Sequence, residues 1–242
     1  MLKKYFSFLY KDVSRRSGIE LEKFLGRDEN CRMLDCGCWD GINTRKFGKI
    51  LDTKQLYGIE IVKSKAKEAE KNGVIVKISD LNEKLPFKDD FFDVIIAYHV
   101  IEHLVNVRLF SSELNRVLKK NGCVIIGTPN LASWHNVFAL IAGHQPFSGP
   151  TIKPDYESDI RLAREINKER FNKVFSGKEN ASLDHIKVMT LKSLKGLLIS
   201  SKFKIESFSG FGYYPLPPLL AKLAEKIDPY HTHYVIIKAR KN

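Results

Sequence analysis

A chain of 242 residues with 43% hydrophobic and 28% charged residues has the make-up of a globular protein that buries a full core, and it excludes disordered and fibrous classes. Forty lysines and arginines against 28 acids give a net charge of +12, but the lysines are scattered, which favours a solvated basic face over a nucleic-acid groove. Four cysteines, three of them crowded at Cys31, Cys36 and Cys38, do not make a secreted disulfide framework, and no apolar run reaches the roughly 18 residues of a membrane span.

Met1 to Tyr10 is apolar with two lysines and too short for a secretory segment with its cleavage site. A helix is expected from near Asp12 through Ile19 to Leu25. Arg15 and Arg16 on it could reach a cofactor carboxylate, although facing solvent is the expected role of each. Met33 to Cys36 reads as a short buried strand that breaks at Gly37 into a glycine-punctuated turn, and Ile42 to Leu51 has helix character. Gln55 to Ile61 is a second strand. Lys63 to Lys71 is a helix ended by Asn72-Gly73, and Val74 to Ile78 is a third strand. After an acid-bearing loop from Asp80 to Asp90, Phe92 to Ala97 is apolar in five of six positions, as a parallel strand covered on both faces should be. Ser111 to Lys120 is read as helix and Cys123 to Gly127 as the fifth strand.

From Leu131 the pattern changes. Leu131 to Ala142 reads as an amphipathic helix stopped by the run from His144 to Pro150. The charged stretch 151–180 is expected to hold one helix, Ile160 to Phe171. Leu191 to Ser201 is the last expected helix, with Thr190 as its N-cap. Phe203 to Phe208 and Tyr234 to Ala239 are the last two strands, an antiparallel hairpin at the sheet edge, and Phe211 to Leu220 reads as an exposed apolar loop. The fold class is α/β, a Rossmann-like doubly wound sheet of seven mostly parallel strands with an antiparallel last strand and a helical lid insertion. Residues 1–242 are expected to form one domain, with a cap helix at 1–30, a cofactor-binding core at 31–130, a lid at 131–185 and a C-terminal helix and strands at 186–242.

A strand, a tight turn and a helix in that order bring backbone N–H groups to the carboxyl edge of a sheet, where open α/β folds bind ligands. Gly37 and Gly41 would let a ligand lie against bare backbone. The dinucleotide fingerprint needs a middle glycine, and Cys38 and Trp39 occupy that region, so a pyrophosphate is disfavoured. Glu60 ends the second strand 19 residues beyond Gly41, where a carboxylate can accept both hydroxyls of a ribose.

Asp35, Gly37, Cys38 and Gly41 together resemble the first motif of class I S-adenosylmethionine-dependent methyltransferases, with Trp39 in place of the usual glycine. The resemblance continues through Glu60-Ile61, Asp80-Leu81, the segment Phe91 to Leu104, and Lys120-Asn121-Gly122 leading to Thr128-Pro129-Asn130, so it covers roughly Met33 to Asn130. It implies that Asp35, Gly37, Cys38, Trp39, Gly41, Glu60, Ile61, Asp80, Leu81, Ala97 and Tyr98 hold S-adenosylmethionine. It also implies that the insertion after the fifth strand is a substrate lid, and that methyl is transferred to a small-molecule acceptor at oxygen, in the manner of the quinone, glycan or lipid-precursor branch. The acceptor is expected to be lipophilic or sugar-containing, the protein cytoplasmic, and a homodimer is compatible with the apolar loop. An RNA methyltransferase and a non-catalytic S-adenosylmethionine-binding protein are the alternatives.

A hydroxyl acceptor needs a base, and histidine titrates near ~6.5. His99, just past the fourth strand, is the first choice, and His135, His144 and His185 could approach from the lid. His99-Val100-Ile101-Glu102-His103 matches an inverted zinc-peptidase pattern, yet it begins at a strand end, so no metal is expected and Glu102 and His103 are read as fixing the loop by hydrogen bonding.

Overall fold

The computed structural model describes residues 2–150 and 185–242. The expected helix Ile160 to Phe171 and most of the lid lie outside them. In chain order the elements are α1 (Leu2–Glu22), β1 (Arg32–Cys36), α2 (Ile42–Leu51), β2 (Gln55–Glu60), α3 (Lys63–Lys71), β3 (Ile75–Ile78), β4 (Phe92–Tyr98) and α4 (Val107–Val117). They continue with β5 (Leu118–Pro129), α5 (Trp134–Ile141), α6 (Leu191–Ser200), β6 (Phe203–Phe211), α7 (Pro218–Ile227) and β7 (Tyr234–Lys241). Short 3-10 turns cover Ile101–His103 and Pro229–His231.

The seven strands are ordered β3-β2-β1-β4-β5-β7-β6. The pairs β1/β2, β2/β3, β1/β4 and β4/β5 are parallel. Strand β7 is antiparallel to both β5 and β6, so it alone among these strands runs against the rest. The expected hairpin forms, but β7 is inserted and β6 takes the edge. Strand order reverses between β1 and β4, whose register pairs Cys36 with Ala97; in an open α/β sheet this switch point is where the crevice for a ligand opens.

Each sheet face carries its own apolar layer. Leu34, Ile95, Val124 and Ile237 pack with Phe110, Leu114, Leu194 and Leu198 on one side. On the other, Met33, Ile96, Ile125 and Ile236 pack with Val13, Leu21, Phe47 and Leu51. Alternate residues of one strand therefore feed opposite layers, which is why these strands are apolar throughout.

Four expectations change. The N-terminal helix starts at Leu2, ten residues before Asp12, because Leu9, Val13 and Leu21 form a buried stripe that needs the earlier turns. Arg16 does not face solvent: it forms a paired bridge to Glu225, with Nη1 and Nη2 at 3.0 and 2.6 Å from Oε1 and Oε2. The fourth helix ends at Val117, since Asp90 and Phe91 donate N–H bonds to Arg116 O and Val117 O and draw the chain into β5. The expected apolar loop after Phe211 turns into α7 at Pro218, a residue suited to the first turn of a helix.

Candidate active site

The loop 37–41 leaves β1 strapped to β2, because Gly37 and Cys38 donate N–H bonds to Ile59 O at 2.8 and 3.1 Å. Gly37 and Gly41 have φ of +76° and +77°. A Cβ on Gly37 would lie 2.7 Å from Val100 Cγ2, and one on Gly41 would lie 3.0 Å from Ala69 and Val74. A side chain at either position would meet Val100 or α3, so both glycines serve close packing and a left-handed turn. Asp35 is buried, accepts the Thr44 hydroxyl at 2.6 Å, and is pushed up to about 7 by burial; it ties α2 to β1. Cys38 is buried as well.

Trp39 has a φ of +48° and is 50% exposed, with Lys65 Nζ 5.2 Å from its ring centre. At the β2 tip Glu60 Oε2 accepts the Trp39 N–H at 3.0 Å, and Oε1 accepts the Val62 N–H at 2.8 Å. Burial pushes this carboxyl up, and the backbone N–H groups of Val62, Trp39 and Ile61 work against it. Each oxygen keeps a further lone pair, so the tip offers two fixed acceptors beside an exposed indole and the half-buried Ile61. Asp80 Oδ1 accepts both the N–H and the Nδ2 of Asn82, at 2.8 and 3.0 Å. Asn82 Oδ1 in turn accepts the N–H groups of Val105 and Asn106. One side chain thereby links the loop after β3, with buried Leu81, to the loop after β4.

Past the β4 tip, formed by Ala97 and Tyr98, His99 adopts a φ of +54°, a conformation that non-glycine residues adopt at a cost. Its N–H donates to Gly127 O at 2.9 Å, and its Nδ1 lies 3.2 Å from Glu102 Oε1. Glu102 is fully buried and accepts the Thr128 hydroxyl on Oε2 at 3.0 Å. Burial opposes its charge, yet the hydrogen bond and positive field of His99, with the field of His103, hold its carboxyl below the usual range.

The other histidines gather around this point. The rings of His103 and His185 are 5.1 Å apart, and His185 Nδ1 lies 2.6 Å from Ser148 O. His135 Nε2 meets His233 Nδ1 at 3.1 Å. The ring of Tyr234 lies between those of His99 and His233, 4.9 and 4.1 Å away. Burial pulls His135 down to about 4 and His233 well below its ordinary value. The sequence candidates His99, His135 and His185 therefore share one edge, whereas His144 is exposed. Sequence reasoning missed His233, Tyr234 and Thr128. His233 reaches His135 across 98 residues, and no local pattern signals such a contact.

A sheet with its switch point at β1/β4, a glycine turn and an acid at the β2 tip defines a Rossmann-like protein with a ligand crevice at that edge. Residues 34–126 match the methyltransferase domain family. The chain is 41% identical over 87 residues to an uncharacterised protein of Methanocaldococcus jannaschii, a match covering 36% of this chain and 41% of that one, so it spans about two fifths of that relative's length. It is 25% identical over 173 residues to the ubiquinone biosynthesis O-methyltransferase of Pelagibacter ubique, covering 69% and 68%. An S-adenosylmethionine-dependent methyltransferase from Mesorhizobium loti superposes with a TM-score of 0.61 at 17% identity, over 92% of this chain and 96% of that one. Residues 34–126 are thus those of a methyltransferase domain, and the chain shares the Rossmann-like fold of S-adenosylmethionine-dependent methyltransferases.

Proposed function

We propose that this protein transfers a methyl group from S-adenosylmethionine to a hydroxyl of a small-molecule acceptor. Glu60 fits the ribose diol, with its two spare acceptor positions. Asp80 is aimed by Asn82 and suits the adenine amino group. Trp39, Ile61 and Leu81 supply apolar surface for the ring, while Gly37, Cys38, Gly41, Ala97 and Tyr98 shape the cleft and Asp35 anchors it from inside. The bound cofactor supplies an activated methyl on a sulfonium. The protein's task is then alignment, where proximity alone is worth several kcal/mol, and removal of the acceptor's proton.

The observation that carries the oxygen assignment is the His99–Glu102 pair. An ionised carboxylate only accepts, so with Glu102 charged His99 carries its proton on Nδ1 and presents Nε2 as a base. His135, drawn down to about 4, stays neutral at pH 7 and is the weaker base; we assign it and His185 to the acceptor wall. The ubiquinone biosynthesis O-methyltransferase of Pelagibacter ubique and the malonyl-[acyl-carrier protein] O-methyltransferase of Legionella pneumophila support an oxygen acceptor. Residues 131–185 serve as the lid in a single domain spanning 1–242. Among the described residues no helix is long and apolar enough to cross a membrane. All four cysteines are free and buried, which suits a reducing cytoplasm.

The test supplies S-adenosylmethionine labelled in its methyl group and fractionates cell extract into polar, lipid, RNA and protein pools. Label is expected in a small-molecule pool, and it should fall by about a hundredfold or more in His99→Ala while cofactor binding by calorimetry persists. Label confined to RNA would overturn the acceptor class. Tight cofactor binding with no label in any pool would favour a binding protein instead.

A further inference from the structure

We propose that Glu102, His103 and His185 form a site for one divalent transition-metal ion beside the acceptor end of the cleft. One ligand atom from each residue lies within 4.8 Å of the other two. Two imidazoles and a carboxylate are the donor set of catalytic zinc and of open-sided iron sites. Zinc ligands stand about 2.0–2.2 Å from the metal, so three ligands sharing one ion lie roughly 3.3–3.8 Å from one another, and side-chain movements of up to about an ångström bring these atoms onto one ion.

Three further observations point to a cation. First, Glu102 is fully buried, and the hydrogen bonds to its side chain come from His99 and Thr128. Lys187, two residues beyond His185, directs its Nζ to Val105 O at 2.8 Å. Burying a carboxylate is costly without a compensating charge. Second, His185 places Nδ1 2.6 Å from Ser148 O. A carbonyl can only accept, so Nδ1 carries the proton and Nε2 keeps its lone pair, the outer hydrogen bond that metal-bound histidines typically make. Third, Ile186 and Lys187 both donate N–H bonds to Glu102 O, at 2.7 and 3.0 Å. The backbone therefore fixes the distant His185 against the Ile101–His103 turn before any ion arrives.

The remaining coordination positions would take an acceptor oxygen. A bound cation lowers the pKa of an oxygen ligand, so the hydroxyl proton passes to His99 Nε2 while its electron pair stays on an oxygen held by the metal. This use of the ion rests on the proposed oxygen transfer, whereas binding of the ion does not.

The test strips purified protein with a chelator and dialyses it against Zn2+ alone and, separately, Mn2+ alone. Metal content is read by elemental analysis, and Co2+ substitution gives an absorption spectrum. About one equivalent per chain is expected, weakened about tenfold or more in His103→Gln and in His185→Gln, with circular dichroism and S-adenosylmethionine affinity unchanged. Substoichiometric binding, or binding that neither variant weakens, overturns the site. The readout is bound metal and not turnover, so failure of the methyl-transfer proposal would leave a positive result standing, and an absent metal would leave that proposal untouched.

Discussion

The proposed cofactor and acceptor sides of the cleft are built in opposite ways. The cofactor side is assembled from neighbours in sequence: Glu60 caps Val62 two residues on and Trp39 across 21 residues, and Asp80 holds Asn82 two residues on. The acceptor side is assembled across the whole chain: Glu102 meets Thr128, His185 is docked on the Glu102 carbonyl through its neighbours, and His135 meets His233 across 98 residues. A local clamp can be read as a motif and depends on backbone geometry. A long-range cluster exists only when the sheet and its C-terminal strands are in place, so its integrity should follow global stability.

The two sides should therefore fail separately. The largest expected effect is on the cofactor side. Glu60→Ala removes two charge-assisted acceptors, each worth about 1.5–3 kcal/mol, so S-adenosylmethionine affinity measured by calorimetry should drop about a hundredfold or more. An unchanged affinity would break the assignment of the β2 tip.

On the histidine side, His135 falls from 6.5 in the unfolded chain to about 4 in the folded one. A depressed histidine favours folding while it is neutral, so its contribution is complete above pH 6.5 and drains away as pH falls from 6.5 to 4. The loss amounts to at most about 3 kcal/mol. Denaturant melts between pH 7 and 4 should show this acid limb, and His135→Phe should flatten it with cofactor affinity intact. A limb that survives the substitution would move the effect to His233 and weaken the picture of a linked pair.

A smaller effect tests the junction between the glycine turn and α3. Gly41→Ala forces a Cβ to within 3.0 Å of Ala69 at a φ of +77°, and should cost about 1–3 kcal/mol in a urea melt. The smallest concerns a helix end remote from both sides. Thr190 accepts the Ser193 N–H at 3.1 Å, and Thr190→Ala should cost about 1 kcal/mol without altering cofactor binding.

The five parallel strands, the crossover helices α2 and α3 and the Thr190 cap are legible in the sequence because each rests on a local signal: an apolar run, a glycine after a strand, a capping residue before an amphipathic turn. The same signals mislead where a local preference yields to packing. Lys119 and Lys120 suit a helix, yet burial of Val117 and Leu118 and pairing with β4 extend the chain there. Arg16 reads as a surface residue until α7 brings Glu225 to it.

Periodicity and strand-end acids determined an α/β sheet with a ligand-binding edge, since both are encoded within a few residues of each other, and the motif resemblance added the adenosyl group. Only the tertiary structure decided that a Cβ at Gly37 or Gly41 would meet Val100 or α3, that β7 lies inside the sheet, and that histidines from four separate segments gather at one edge beside a buried glutamate. Those outcomes depend on contacts between residues about a hundred positions apart or more, and a linear pattern does not carry such distances.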